Sequence, residues 1–340
     1  MSPHILIIGE NVEQHEAHFA TRFTVHKLSD KPDRDAYISE VGDKIEAVCL
    51  SGGANPRGDK RLMDRLPNLS LAATFGVGVA PGGGILDIEE ALRRGIVGTY
   101  GPGSNSVSVA DLALGFMLEL TRKVRHFDQF TREGKWAATG SKGGFTSTIS
   151  GKTVGILGLG NIGQAVARRC AGFDMSILYH QRRRNAQVPY GYVGSVKELA
   201  AASQYLIVCV PDAPETQNMI DVDVLAALGP DGYLINIARG AVVDEDALVA
   251  ALRAKTIAGA GLDVFKNEPK VRSDFVALET IVLSPHRAAF THESTLRMRD
   301  MMMENLVAHF DGRIVPNPIP GFEALAEESA RKRSSDKRQT

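Results

Sequence analysis

Charge of one sign is what this chain most clearly lacks. Thirty-nine Lys and Arg stand against 40 Asp and Glu over 340 residues, a formal net charge of −1. Such a balance sets up no global field to hold nucleic acid or an anionic membrane surface. Cysteine is scarce: Cys49, Cys170 and Cys209 are an odd number without metal-site spacing, each among small or apolar neighbours. They read as buried hydrophobes of a reducing compartment, so neither a disulfide framework nor a metal centre is expected. No apolar run approaches the ~20 residues that span a bilayer. The opening MSPHILIIGE lacks the basic lead and long apolar stretch of a secretory signal. A soluble, cytoplasmic protein is expected.

What is present is an ordinary globular composition, 44% hydrophobic and 23% charged. At 340 residues the chain exceeds the ~250–300 at which one core stops growing, so two domains are expected. Glycine is in excess, with 34 residues against a usual ~7%.

Short β-rich runs alternate with helical patterns. In the first hundred residues the runs are His4–Gly9, Thr24–Leu28, Glu46–Ser51, Leu69–Thr74 and Ile96–Thr99, and Leu86–Arg94 is a helix closing on Gly95. A second series follows Lys152: Thr153–Leu157, Met175–Tyr179, Tyr205–Val210, Tyr233–Ile237, Ile257–Leu262 and Ile281–Leu283. Its helices are Ile162–Ala171, Val196–Ala201, Asp221–Ala227 and Asp244–Ala254. Continuous Val, Ile and Leu, rather than strict alternation, mark strands buried on both faces of a parallel sheet. The fold class is therefore α/β, doubly wound. Between the series, Ser108–Arg125 is apolar nearly all round (Val109, Leu112, Leu114, Phe116, Met117, Leu118, Leu120) and predicts a helix buried on all sides. Glu133–Ser150, with the only tryptophan, Trp136, reads as an extended arm. After a helix at Glu293–Phe310, the charge-rich Phe322–Thr340 reads as a frayed, solvated tail.

Gly158-Leu159-Gly160-Asn161-Ile162-Gly163 directly follows a strand and opens a helix, with another strand behind it. That βαβ setting makes it a dinucleotide site. Gly158 permits the tight turn, Gly160 lets backbone approach a pyrophosphate, and Gly163 packs helix on strand. The residue that chooses between dinucleotides lies at the end of the next strand, where a carboxylate would hold the 2′-hydroxyl of NAD and repel a 2′-phosphate. Here Tyr179 to Arg184 reads YHQRRR, without a carboxylate. Gln181, Arg182 and Arg183 suit a phosphate dianion, predicting NADP over NAD.

Three further segments end strands of the second series: Arg239-Gly240 after one, Asp263 to Glu268 after the next, and Ser284-Pro285-His286 after the last. In open α/β sheets ligands bind at these carboxyl ends. Arg239 can grip a carboxylate bidentately, His286 can donate a proton to a carbonyl oxygen, and Glu268 can orient the imidazole. That is equipment for reducing a 2-keto acid.

With GKTVGILGLGNIGQAVARR, PDAPETQNMI, LINIARGAVVDEDAL, AGAGLDVFKNEP and LSPHRAAFT in this order, the chain resembles the D-isomer-specific 2-hydroxyacid dehydrogenases over roughly residues 45–320. Within them it is most similar to the glyoxylate/hydroxypyruvate reductases. The resemblance implies that Arg239, Glu268 and His286 are the catalytic trio and that Val77-Gly78 hold the substrate carboxylate through backbone N–H groups. It implies that Asp263 and Ile237 hold the nicotinamide amide, that Cys209, Val210 and Pro211 wall the adenine side, and that Thr216 and Ala238 also line the cofactor. It further implies a Rossmann cofactor domain, residues 102–286, inserted into a smaller flavodoxin-like substrate domain, residues 1–101 and 287–340. The helix and arm over 106–150 would join a homodimer.

Two segments depart from the family pattern. Gly78-Val79-Ala80-Pro81 runs into Gly82-Gly83-Gly84 instead of the usual aromatic-acidic pair, and Arg287 follows the histidine where small residues are usual. Rival readings are a formate dehydrogenase, against which Glu268 argues because that family places Gln there, a phosphoglycerate dehydrogenase without a regulatory domain, and a dinucleotide-sensing scaffold without turnover.

Overall fold

The computed structural model describes residues 2–76 and 84–337. They form two compact units, one of residues 106–291 and one in which residues up to 105 join the segment from 292 onward. The crossings fall at 105/106 and 291/292, a few residues beyond the 101/102 and 286/287 read from the sequence.

The discontinuous unit is built on β1 (His4–Ile8), β2 (Thr24–Lys27), β3 (Ile45–Ser51), β4 (Leu71–Phe75) and β5 (Val97–Thr99), all parallel, in the order β2-β1-β3-β4-β5. Ile5, Ile7, Ala47 and Cys49 pack with Phe19, Met302 and Leu306 on one face. Leu6, Ile8, Val48 and Leu50 pack with Ile38, Leu62 and Phe322 on the other. Two buried faces explain why these strands are continuously apolar. Asp33, Asp59 and Asp87 each accept a first-turn N–H and so start the helices that follow them.

The C-terminal segment corrects the sequence reading. Residues Glu323–Lys337 form a helix. Phe322, Ala326 and Ala330 are buried at four-residue spacing, and the Ser334 hydroxyl donates to the Gly312 carbonyl. Charge on its outer face masked this stripe. Beneath the helix, Nε2 of His309 and the guanidinium of Arg333 both meet the Ser70 hydroxyl.

Burial, aided by the nearby Arg333 charge, pushes the His309 imidazole down to about 3. The folded protein excludes a proton that the unfolded chain binds below its ordinary value near 6.5. Stability is therefore lost as pH falls from about 6.5 toward 3, by about 2 kcal/mol at pH 5. His309→Gln should flatten this dependence in urea melts followed between pH 5 and 7, and an unchanged slope would remove His309 as its source.

The second unit contains β6 (Thr153–Leu157), β7 (Ser176–His180), β8 (Gly191–Tyr192), β9 (Tyr205–Val208), β10 (Tyr233–Asn236), β11 (Gly259–Leu262) and β12 (Ile281–Leu283). All pairs are parallel, in the order β12-β11-β10-β9-β6-β7-β8, so the winding reverses between β6 and β9. The two-residue edge strand β8 is too short to carry a periodic signal.

The apolar helix runs Ser106–Arg122. Val109, Leu114, Phe116 and Met117 are buried, and Gly261 leaves the space that the Phe116 ring fills. Burial on all sides does not hold: Val107, Asp111 and Gly115 form an exposed face, with Leu112, Leu118 and Leu120 half-buried. Lys123, left-handed at φ 51°, separates it from a second helix, Val124–Arg132. The arm is not wholly extended either, since Lys135–Thr139 is helical; Trp136 and Phe145 project into solvent.

Candidate active site

At the switch point between β6 and β9, Gly158 has φ +93°, and a Cβ there would meet Val210 and the Cys209 carbonyl. A Cβ on Gly163 would run into the Gly158 carbonyl, so the helix Asn161–Ala171 can sit this close only with glycine. Gly160 is different: open space lies where its side chain would be, and this N-cap offers no side chain to the helix's first N–H groups. An uncapped helix start beneath an open glycine fits a dinucleotide pyrophosphate. Leu159 is buried, whereas Asn161 is exposed.

At the end of β7, Gln181 Oε1 accepts the Leu159 N–H at 3.2 Å and its Nε2 donates to the Arg183 carbonyl. The glutamine therefore spans the glycine turn and the arginine loop. Arg182 pairs with Glu215 at 3.3 Å, both side chains exposed. The Arg183 and Arg184 side chains are exposed. Across the crevice the Cys209 N–H donates to the Leu157 carbonyl, placing Cys209, Val210 and Pro211 beside the turn. The Thr216 hydroxyl is occupied within its own loop, donating to the Pro211 carbonyl at 2.8 Å.

The strands β10, β11 and β12 end in register, Asn236 opposite Leu262 and Leu262 opposite Leu283. Residues just beyond them are thereby brought together. Ile237 and Ala238 are buried after β10. Asn236 then holds the turn, its Oδ1 accepting the Ala238 N–H and its Nδ2 donating to the Arg239 carbonyl. The Arg239 guanidinium, half-buried, donates to the Ala238 carbonyl and has no carboxylate partner among the described residues. It is available to an anionic ligand.

Glu268 bridges two elements. Its Oε1 accepts the Phe265 N–H at 3.0 Å and its Oε2 meets His286 Nδ1 at 2.7 Å. This leaves Nε2 of an imidazole that is 43% exposed free to face a substrate. His286 is left-handed, at φ 52°, a conformation that costs energy outside glycine and collects at functional sites.

Asp263, 1% exposed, accepts from the Ser284 hydroxyl and from the Arg287 and Ala288 N–H groups. The sequence named Ser284 only as the start of the segment that ends in His286 and gave it no role of its own. Arg287 is exposed, its guanidinium over the Phe290 ring at 5.2 Å. Val77 and Gly78, with the Gly82-Gly83 run, lie outside the described residues.

Comparison with known proteins adds the chemistry. Residues 114–288 match the NAD binding domain of the D-isomer specific 2-hydroxyacid dehydrogenases. Hydroxyphenylpyruvate reductase of Plectranthus scutellarioides is 39% identical, over 88% of this chain and 93% of its own. Glyoxylate/hydroxypyruvate reductase A of Arabidopsis thaliana is 37% identical over the same shares. The NADPH-dependent glyoxylate/hydroxypyruvate reductase of Sinorhizobium meliloti, solved with NADP and malonate, superposes with a TM-score of 0.81 at 35% identity, covering 95% of this chain and 98% of its own. A dinucleotide crevice and a family match that spans it make this chain a member of the D-isomer-specific 2-hydroxyacid dehydrogenases, NAD(P)-dependent oxidoreductases.

Proposed function

We propose that the protein reduces a small 2-keto acid of the glyoxylate or hydroxypyruvate type to the 2-hydroxy acid, with NADPH preferred over NADH. The observation that carries this reading is the Glu268–His286 contact at 2.7 Å beyond strands that pair in register with the one leading to Arg239, which has no carboxylate partner among the described residues. Reduced nicotinamide, when bound, would supply a hydride equivalent, one proton with two electrons, to the keto carbon. Arg239 holds the substrate carboxylate and polarises the adjacent carbonyl. His286 gives its Nε2 proton to the carbonyl oxygen, and Glu268 opposes the imidazolium charge and fixes the ring. The proposed product is D-configured, a reading that the family match supports. The test is turnover of both cofactors with glyoxylate, hydroxypyruvate, pyruvate and hydroxyphenylpyruvate. Tight NADPH binding with no turnover on any of them would favour the scaffold reading instead.

The cofactor preference rests on Gln181 and the exposed Arg183. Gln181→Glu keeps an acceptor for the Leu159 N–H while setting a carboxylate where a 2′-phosphate would lie. The ratio of kcat/KM for NADPH to that for NADH should fall by at least about tenfold, one charge contact at ~1.4 kcal/mol. An unchanged ratio would place the ribose elsewhere.

The exposed Val124 of the helix Val124–Arg132 and the exposed Trp136 and Phe145 of the arm are suited to a second copy of the chain, and the proposed assembly is a homodimer. Among the described residues no helix is long and apolar enough to cross a membrane. Cys49, Cys170 and Cys209, all free, fit a reducing cytoplasm as the proposed location.

A further inference from the structure

We propose that the discontinuous unit carries a second ligand site, at the carboxyl ends of β1, β2 and β3, for a small zwitterion of the α-amino acid class. The sheet order β2-β1-β3-β4-β5 means that the winding reverses between β1 and β3. Open α/β sheets take ligands at such a switch point, in the crevice beyond the strand ends. A cavity of about 480 Å³ opens there, in the range of ~300–1,000 Å³ typical of small-molecule sites. Its lining among the described residues, which includes Gly9, Glu13, Lys27, Arg34 and Asn55, belongs wholly to this unit. It shares no residue with the glycine turn or with Arg239, Glu268 and His286.

Two charges of this lining lack ionic partners among the described residues. Glu13 is 8% exposed; its Oε1 accepts the Gly9 N–H at 3.0 Å, and its Oε2 has no hydrogen-bond partner. Gly9 makes that contact at φ +107°, where a Cβ would run into the Ser51 hydroxyl, so the turn that holds Glu13 closes directly on β3. Arg34 opens the helix Arg34–Val41 and reaches the loop after β3, where its guanidinium donates to the Asn55 carbonyl at 3.2 Å. It pairs neither with Glu13 nor with any other carboxylate among the described residues, whereas Lys27 is already paired with Glu16 at 3.7 Å. Glu13 has given up most of its hydration for a single bond, which costs energy until a donor meets the other oxygen. An ammonium group supplies that donor, and a carboxylate on the same molecule takes the free fork of Arg34. A simple anion is repelled by Glu13 and a simple cation by Arg34, so the cavity favours a molecule that carries both charges.

Calorimetric titration of the full chain with glycine and L-serine tests the assignment, with acetate and ethylamine as single-charge controls at matched ionic strength. Both amino acids should bind with millimolar or lower Kd, and each control at least about tenfold more weakly, the worth of one charge-assisted bond. Glu13→Gln keeps an acceptor for the Gly9 N–H and removes the charge; Arg34→Gln alters an exposed side chain and leaves the fold intact. Each should raise the Kd for glycine by at least about tenfold, with turnover of glyoxylate and NADPH unchanged. If the Glu13 variant does not fold, the Arg34 variant decides. An amino acid also resembles the proposed keto acid, so Arg239→Gln is the necessary comparison, and it should leave glycine binding as it is. Loss of binding in Arg239→Gln would assign the amino acid to the active site and overturn the proposal. No binding at tens of millimolar, acetate or ethylamine binding as well as glycine, or an unchanged Kd in either cavity variant would overturn it equally.

Discussion

His286→Gln is expected to lower kcat by about 10²–10⁴-fold, the range that a positioned general acid contributes. The Kd for NADPH should be unchanged, because the imidazole holds no part of the glycine turn that receives the pyrophosphate. The glutamine can still donate to Glu268, so the Phe265–Glu268 loop retains its partner and the fold its stability. Glu268→Gln should be milder, since it leaves the proton donor in place and removes only the opposing charge. Single-turnover measurements would separate the chemical step from product release. Wild-type turnover in His286→Gln would remove the histidine from the reaction and with it the proposed division of labour.

Gly240→Ala is the second large effect, and it acts through backbone. A Cβ at this position would run into the Phe265 carbonyl and the Lys266 N–H, atoms of main chain that cannot rotate aside. The same Lys266 N–H donates to buried Glu245 at 2.9 Å, which pins the loop to the helix Glu245–Arg253. Overpacking here should cost about 2–4 kcal/mol and lower the melting temperature by about 5–10 °C. Turnover should fall further than stability does, because the displaced loop carries Glu268 and the displaced turn carries Arg239. Calorimetry together with kcat/KM at a temperature where the variant is folded would check both. An unchanged melting temperature would mean that the loop can yield.

Much of the cofactor crevice was legible because its chemistry is written in spacing. The three glycines of the turn must sit where a strand becomes a helix, and the structure gives each a distinct reason: a positive φ at Gly158, open space at Gly160, a carbonyl in the way at Gly163. Arg239, Glu268 and His286 could be marked because each follows an apolar run, and β10, β11 and β12 pair in register. Asp263 shows the limit. Its acidity and its place at a strand end were visible, and its engagement with residues 284–288 was not, because those donors, one hydroxyl and two backbone N–H groups, lie some twenty positions away. Thr216 is a similar case: its hydroxyl is spent inside its own loop.

The C-terminal segment failed for another reason. Phe322, Ala326 and Ala330 are weak apolar marks among nine charges, and they form a helix face only because another surface is there to receive them. Helical stability comes mostly from such packing rather than from propensity.

By itself the sequence determined the α/β class, the dinucleotide crevice and the residue types able to do acid–base chemistry at strand ends. Local rules govern these: apolar runs that demand two covered faces, and glycines where no Cβ fits. The tertiary structure decided which nitrogen of His286 is free, what Asp263 holds and that the charged C-terminus is a packed helix. Each of those depends on a partner distant in the chain, and no residue's own chemistry names its partner.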